Sequence, residues 1–350
     1  MQIVCPIQKD EVQTSDGELI TVGHGSGGLL THRLLQSGVF DLLKNEWLDQ
    51  QHDGATLELN GRVAFSTDSY VISPIFFPGG NIGDLAVNGT VNDLAMCGAI
   101  PRYLSLSFIL EEGLTMNAFR QVLLSIKQAA DNAGVYIVTG DTKVVEKGKA
   151  DGIFINTSGI GCVHPRADIH HQRIEAGDQI ICSGNIATHG IAIMSVRAGI
   201  EFGTTICSDT APLNHVVESL LDRFGPDVKF LRDPTRGGVA SVLNEVAGLT
   251  SLGFAIDQGL LPIDEQVDGA CELLGLDPLY VANEGLFLAI VEKEVAGEIV
   301  SHLRSAEPGK NAAIIGEVTE ESRGKVWMKS RAGGRRVVGF LPGEQLPRIC

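Results

Sequence analysis

TMNAFRQVLLSIKQAADNAGVYIVTGD, residues 115–141, holds two periodicities end to end. Met116, Phe119, Val122, Leu123, Ile126 and Ala130 recur at helical spacing and give one apolar stripe. Thr115 is placed to cap the helix and Gly134 to stop it. The next residues, VYIVTGD, are rich in β-branched side chains and run as a strand straight into Asp141. A helix handing over to a strand in this way predicts layered α and β structure.

Working outward, RVAFSTD is a short strand ending at Asp68, and GIFINTSGIGCV is a strand leading to a glycine turn. HPRADIHHQRIEAGDQ, residues 164–179, is polar and reads as a crossing between domains. The pattern then restarts with QIICSG as a strand and HGIAIMSVRAG as a helix, and GFAID, LFLAIV and AAIIGEV supply further strands. The expected architecture is α+β in two domains, 22–165 and 166–340, with an extension at 1–21 and a tail at 341–350.

The 350 residues exceed one ordinary core, which supports that division. Lys and Arg number 27 against 43 Asp and Glu, a net charge of −16, so nucleic acid is not an expected partner. A nucleotide substrate would need local positive charge or a divalent metal to offset this field. MQIVCPIQKDEV lacks the basic start and apolar run of a signal peptide, and no stretch approaches membrane-span length. A cytoplasmic protein with no membrane association is expected. The seven cysteines are scattered without a C-x-x-C pair, which argues against a zinc ribbon or a disulfide framework. Six read as small buried hydrophobes. Cys350 does not, because Pro342, Gly343, Pro347 and Arg348 describe an exposed, extended end. A prenylation box needs residues after its cysteine, and none follow Cys350.

Asp68, Asp93 and Asp141 each stand where a strand or helix meets a glycine-rich turn. Carboxylates beside amide oxygens suit a hard cation such as Mg²⁺; any one of the three alone reads sooner as a turn or cap residue, and it is the three together that favour the cation. Within NIGDLAVNGTVNDLAMCGA, Asn88 and Asn92 share a helix face, whereas Asp93 lies about 140° around from Asn88. Either Gly89 distorts the helix or these residues serve different ligands. GHGSGG, residues 23–28, is on its own a simple mobile loop, or one whose Gly25, Ser26, Gly27 and Gly28 let backbone N–H groups approach phosphate; it is neither a Walker motif nor a dinucleotide fingerprint. DPTRGGVASVLNEVAG opens a helix with Gly237 and Gly238, a ready anion site with Arg236 beside it, or an ordinary helix start with a solvated arginine. VANEG places Glu284 just before the buried strand LFLAIV, as a turn residue or a base of raised pKa. His24, His189 and His215 lack zinc-ligand spacing.

STD, NDLAMCGA, TGDTKVV and DPTRGG, in this order, resemble the ATP-binding superfamily of aminoimidazole ribonucleotide synthetase, selenophosphate synthetase and thiamine monophosphate kinase. GHGSGG, FSTDSYVISPIFFPGGNIG, GAIPRYLSLSFILEEG, CELLGLDPLYVANEG and the terminal LPRIC are similar to one branch, the HypE carbamoyl dehydratases of [NiFe]-hydrogenase maturation, over about Val22 to Cys350.

That resemblance implies an ATP- and Mg²⁺-dependent enzyme of two domains with a flexible C-terminal tail. A carbamoyltransferase, HypF, loads the terminal cysteine; the S-carboxamide is dehydrated to an S-cyanide; and cyanide passes to an iron-carrying HypC–HypD complex. It implies a homodimer with ATP near the interface. Asp68, Asp93 and Asp141 would hold metal, with Asn88, Gly140, Thr142 and the Gly25–Gly28 loop around the nucleotide. Lys143 would stabilise the phosphoryl oxygens, Glu284 would be the base, and Arg236 would hold the tail or a phosphate. The extension with Cys5 has no role in this scheme, and Asp84 is a further metal ligand or merely a charge at a helix N-terminus. Another superfamily activity would bind ATP but give the tail no work, and a metallochaperone would use Cys350 as an iron ligand without ATP.

Overall fold

A computed structural model describes residues 18–200, 205–341, 343, 346 and 348–350. Cys5, most of the N-terminal extension, Pro342 and Pro347 lie outside these. The first sheet contains β1 (Val63–Tyr70), β2 (Ala99–Glu111), β3 (Tyr136–Val145) and β4 (Ile153–Val163), in the order β1-β4-β2-β3. β4 runs antiparallel to both neighbours, and β2 lies parallel to β3. α1 (Ile82–Met96) and α2 (Met116–Ala133) cover one face, with Phe119, Val122 and Ile126 packed against Leu104, Leu106 and Phe108. A parallel pair needs a crossover, and α2 is that crossover.

The signals at residues 115–141 act as read. Thr115 Oγ1 accepts from Ala118 N, and Gly134 closes the helix at a φ of 69° that glycine takes without a Cβ clash.

The second sheet contains β5 (Gln179–Cys182), β6 (Val228–Arg232), β7 (Gly253–Asp257), β8 (Leu288–Val291), β9 (Ala313–Thr319), β10 (Val326–Lys329) and β11 (Arg335–Val338), in the order β11-β10-β7-β9-β5-β8-β6. Its interior strand β8, between β5 and β6, is buried on both sides. Leu288 and Ile290 pack with α5 (Gly238–Thr250), while Ala289 and Val291 pack with α4 (Asn214–Phe224) and α7 (Ala296–Leu303). An unbroken apolar run such as LFLAIV is what a doubly covered strand requires. The chain is therefore α+β, with helices on one face of the first sheet and on both faces of the second.

α1 is buried along nearly its whole length because it lies between the first sheet and the loops of the second. It is a continuous helix, so Gly89 does not distort it; Asn88 and Asn92 serve different partners from Asp93. Gly89 is instead needed for close approach, since a Cβ there would fall 2.2 Å from the Tyr70 hydroxyl. Asp84 is a capping residue: its carboxylate accepts from Asn81 N at 2.9 Å, and Asn81 Oδ1 accepts from Gly83 N in return.

Asn92 fixes how the second unit meets the first. Its Nδ2 donates to Ala211 O at 3.0 Å and Glu284 O at 3.1 Å, and its Oδ1 accepts from Leu213 N at 2.8 Å. Asn92→Ala would leave two buried carbonyls and a buried N–H unpaired, a loss of about 2–4 kcal/mol. Urea unfolding should show a clearly lowered midpoint, and an unchanged midpoint would contradict this role for Asn92.

Candidate active site

The end of the chain is seated in the protein. Ile349 is only 2% exposed and packs in the first sheet's core, while Cys350 is half-buried against that core. Val71 N donates to Cys350 O at 3.1 Å, and Arg348 Nε donates to Val71 O at 2.9 Å. This corrects the expectation of an exposed end: an apolar isoleucine next to the cysteine has a core to enter, and backbone beyond β1 is free to pair with it. Burial of the other cysteines is also corrected in part, since Cys182 and Cys271 are buried whereas Cys97, at the end of α1, is exposed.

Carboxylates surround the seated thiol. Glu284 is 4% exposed, and its Oε1 has no hydrogen-bond partner among the described residues. Burial, and then the charges of Asp209, Asp233, Asp68 and Asp93, hold the Glu284 proton well above the usual carboxylate range. Burial and Glu284 push the Cys350 thiol up to about 12, with Arg236 acting in the opposite direction. Asp93 accepts from Ser66 Oγ at 2.6 Å and is raised by burial and by Asp68. Cys350, Glu284, Arg236, Asp68 and Asp93 are thus brought together.

Asp141 is not part of that group. Asp68 is paired with Thr157, and Asp141 with Ser107, which in turn faces Asn156, the residue beside Thr157. Side chains alternate along strands, so Asp68 points to the helix-covered face and Asp141 to the open one. They also sit on opposite edge strands, three strand spacings or roughly 14 Å apart. No single cation in one chain is ligated by both, and no cluster of three His, Cys, Asp or Glu side chains fit to hold a metal occurs among the described residues.

A second group forms at β3 instead. Lys143 Nζ donates to Asp141 Oδ1 at 2.8 Å in the open, and this contact holds the Asp141 carboxyl below its usual range. The glycine loop packs beside them, and Gly25 lies so close to β3 that a Cβ would stand 2.6 Å from Val144 N. Ser26 Oγ donates to Gly23 O at 2.9 Å, and Gly27 takes φ 80° just before Gly28, which caps the short helix that follows. Gly140 sits in the sheet on β3, where a Cβ would strike Leu106 O at 2.1 Å, and Thr142 N donates to Asp141 Oδ1. Asn88 belongs with the Glu284 side: its Nδ2 donates to Thr210 Oγ1 at 3.2 Å, while its Oδ1 is unpartnered among the described residues.

Sequence reasoning missed Asp209, Asp233 and Tyr70. Asp209 accepts from Glu284 N at 3.2 Å and Gly285 N at 3.1 Å, and burial raises it to about 6. Asp233 opens the same DPTRGG turn as Arg236 and is raised to about 7, first by burial and then by Asp93. Tyr70 is fully buried beside these acids. The only available signal was that Asp233 shares a motif with Arg236; nothing local marks Asp209, which reaches the site through a loop.

Family models for the AIR synthase related protein match its N-terminal domain at residues 51–163 and its C-terminal domain at residues 175–329. The carbamoyl dehydratase HypE of Bradyrhizobium diazoefficiens is 47% identical over 332 residues, covering 95% of this chain and 96% of that protein. A crystal structure of hydrogenase maturation protein HypE in complex with ATP superposes with a TM-score of 0.91 at 47% identity, covering 94% of this chain and 99% of that one. A HypE–HypF complex structure matches with a TM-score of 0.78 at 44% identity, over 88% of this chain and 99% of that one.

The carboxylate cluster has a consequence for stability. Asp233 keeps its proton up to about pH 7 in the folded protein but loses it near pH 4 when unfolded. The folded state therefore binds more protons between these values, and stability falls as pH rises through that window. Asp233→Asn should raise the melting temperature by a few degrees at pH 8 in metal-free buffer and leave it nearly unchanged at pH 4. A gain of equal size at both pH values would contradict the assignment.

Proposed function

This chain belongs to the HypE family of carbamoyl dehydratases, and on that premise we propose that it uses ATP to convert an S-carbamoyl group on Cys350 into an S-cyanide for [NiFe]-hydrogenase maturation. One observation supports this reading: the half-buried terminal thiol lies near enough to Glu284, whose buried Oε1 has no partner among the described residues, for that carboxylate to raise the thiol's pKa. The carbamoyl N–H groups are the donors that Glu284 Oε1 lacks.

Oxide is a hopeless leaving group, so the oxygen must first be activated. The carbamoyl oxygen attacks the γ-phosphorus of ATP and ADP departs, leaving a phosphorylated imidate with loss of one N–H proton. Removal of the remaining N–H proton by Glu284 expels phosphate and leaves the S–C≡N group. Glu284 holds its own proton tightly, so it becomes a base only above its raised pKa, or when nearby positive charge relieves the cluster. Arg236, already lowering the Cys350 pKa, supplies part of that charge.

Mg²⁺ fits this chain as an ion carried by the nucleotide rather than as a caged one. Mg²⁺ binds through one or two carboxylates plus phosphates, and Asp68 and Asp93 offer such a pair. When bound, it would spread the phosphoryl charge. Asp141, Lys143, Gly140, Thr142 and the Gly25–Gly28 loop form the other half of the nucleotide site, with Lys143 on the phosphates.

A homodimer explains why these halves are separated. The open face of the first sheet carries Val63, Phe65, Ile109 and Tyr136, with Phe65 65% exposed. We assign that face to a second copy of the chain, so that nucleotide draws on both groups of residues. Phe65→Glu should convert the dimer to monomer by light scattering and lower ATP turnover at least tenfold; a dimer that persists would sink this assignment.

Loading requires the tail to leave its seat, because the seated thiol is protonated at neutral pH and is a poor nucleophile. HypF is the proposed loading partner, the HypC–HypD complex the acceptor, and the cytoplasm the location. No helix among the described residues is long and apolar enough to cross a membrane.

Cys350→Ala should bind ATP yet accept no carbamoyl group. Glu284→Gln should load normally and dehydrate at least ~100-fold more slowly, the scale of general-base catalysis. The rate for pre-loaded protein should rise with pH as Glu284 deprotonates, and the Gln variant should lose this rise. Loading of the Cys350→Ala protein, or unimpaired dehydration by Glu284→Gln, would overturn the reading.

A further inference from the structure

The terminal residues are gripped by groups that the chemistry at Glu284 does not use. His189, in α3 (Thr188–Ala198), is fully buried, with its ring edge-on to Phe77 at 5.7 Å between centroids. Its Nε2 lies 2.8 Å from Ile349 O, and its Nδ1 lies 2.8 Å from Ser208 Oγ. A carbonyl only accepts, so Nε2 carries the proton and Nδ1 accepts from the Ser208 hydroxyl. Ser208 Oγ is fixed in that orientation because it also accepts from Thr210 N at 3.1 Å. Burial keeps the imidazole neutral, its pKa pushed down to about 4, so the single tautomer persists at physiological pH.

The grip is directed at the backbone of the two residues before the thiol. Arg197, from the same helix, donates through Nη2 to Arg348 O and through Nε to Ser73 O at 2.6 Å. Arg348 takes φ 52°, a left-handed conformation that residues with a Cβ rarely adopt, and Arg348 Nη1 reaches Asp151 at 2.7 Å. The chain turns there so that Ile349 O meets the histidine and Cys350 enters the pocket.

We propose that His189 is the positioning residue that seats the terminal cysteine, with Ser208 selecting the tautomer that lets it do so. This rests on the reaction proposed above and deepens it. A thiol seated within reach of the Glu284 charge is not at the same moment in another protein's site. His189 therefore divides the tail between a reacting position and an accessible one. Weakening it should expose the cysteine and slow dehydration together, whereas damage to the pocket alone would slow dehydration and leave exposure unchanged.

The test uses full-length protein and three variants: His189→Leu, which removes the donor; His189→Gln, which keeps an amide N–H near the Nε2 position; and Ser208→Ala. Iodoacetamide labelling of Cys350, followed by mass of the C-terminal peptide at one fixed pH, needs neither partner nor nucleotide. Dehydration of pre-loaded protein is then followed in a single turnover. Loss of one such hydrogen bond should speed labelling of His189→Leu about tenfold and slow its dehydration by a similar factor. Ser208→Ala should move both in the same directions by less, and His189→Gln should fall between His189→Leu and the unmodified protein.

Unchanged labelling in Ser208→Ala and His189→Gln would overturn the proposal even if His189→Leu fails to fold. Faster labelling with unchanged dehydration would also overturn it, by showing a contact that does not position the reacting group. If no protein, including the unmodified one, loses water, the reaction reading fails, while labelling still decides whether His189 seats the tail.

Discussion

Glu284 is a carboxyl group placed where its charge is least welcome, and its surroundings follow from that. The backbone that carries it is pinned from two sides, by the Asn92 amide on Glu284 O and by Asp209 on the N–H groups of Glu284 and Gly285. Asn283, its neighbour, donates through Nδ2 to Pro234 O at 2.8 Å and ties the same turn to the DPTRGG segment. One short loop thereby holds α1, the turn with Arg236 and the strand β8 in register. Its Oε1 has no hydrogen-bond partner among the described residues and sits amid other acids, which is costly unless a ligand completes it. A buried, unpartnered acceptor is a form of preorganisation for substrate N–H groups.

The acidity of the whole chain makes sense on the same terms. Asp68 raises Asp93, both raise Asp233, and Asp68, Asp93, Asp209 and Asp233 together raise Glu284, so these buried carboxyl groups prefer to hold protons. Positive charge arriving with substrate would release those protons in proportion to how strongly it couples to the cluster. The same field keeps the seated thiol protonated. Loading and dehydration thus call for opposite environments for one sulfur atom, and a tail that moves supplies both.

The fold was legible where physical periodicity is local. The helix at residues 116–133 and the strands ending near Asp68 and Asp141 follow from spacing, caps and β-branching alone. The site was legible only in part. Glu284 is found because an acidic residue directly precedes an apolar strand, and Arg236 because glycines open a helix. The separation of Asp141 from Asp68 is invisible in sequence, since it depends on strand order and on which face a paired residue points to. Asp209 and Ser208 likewise lie on a loop that meets Glu284 and the helical His189 only through the fold. The seated Ile349 escaped notice because proline and glycine nearby suggest exposure, whereas burial depends on a core elsewhere having room.

The most direct measurement is intact mass of the purified protein, with mapping of its C-terminal peptide, after incubation with carbamoyl phosphate, the carbamoyltransferase partner, ATP and Mg²⁺. The expected result is a carbamoyl adduct confined to Cys350 that goes on to lose the mass of one water only with hydrolysable ATP. A tail left unmodified by an active partner, or an adduct that loses water without ATP hydrolysis, would contradict the central claim.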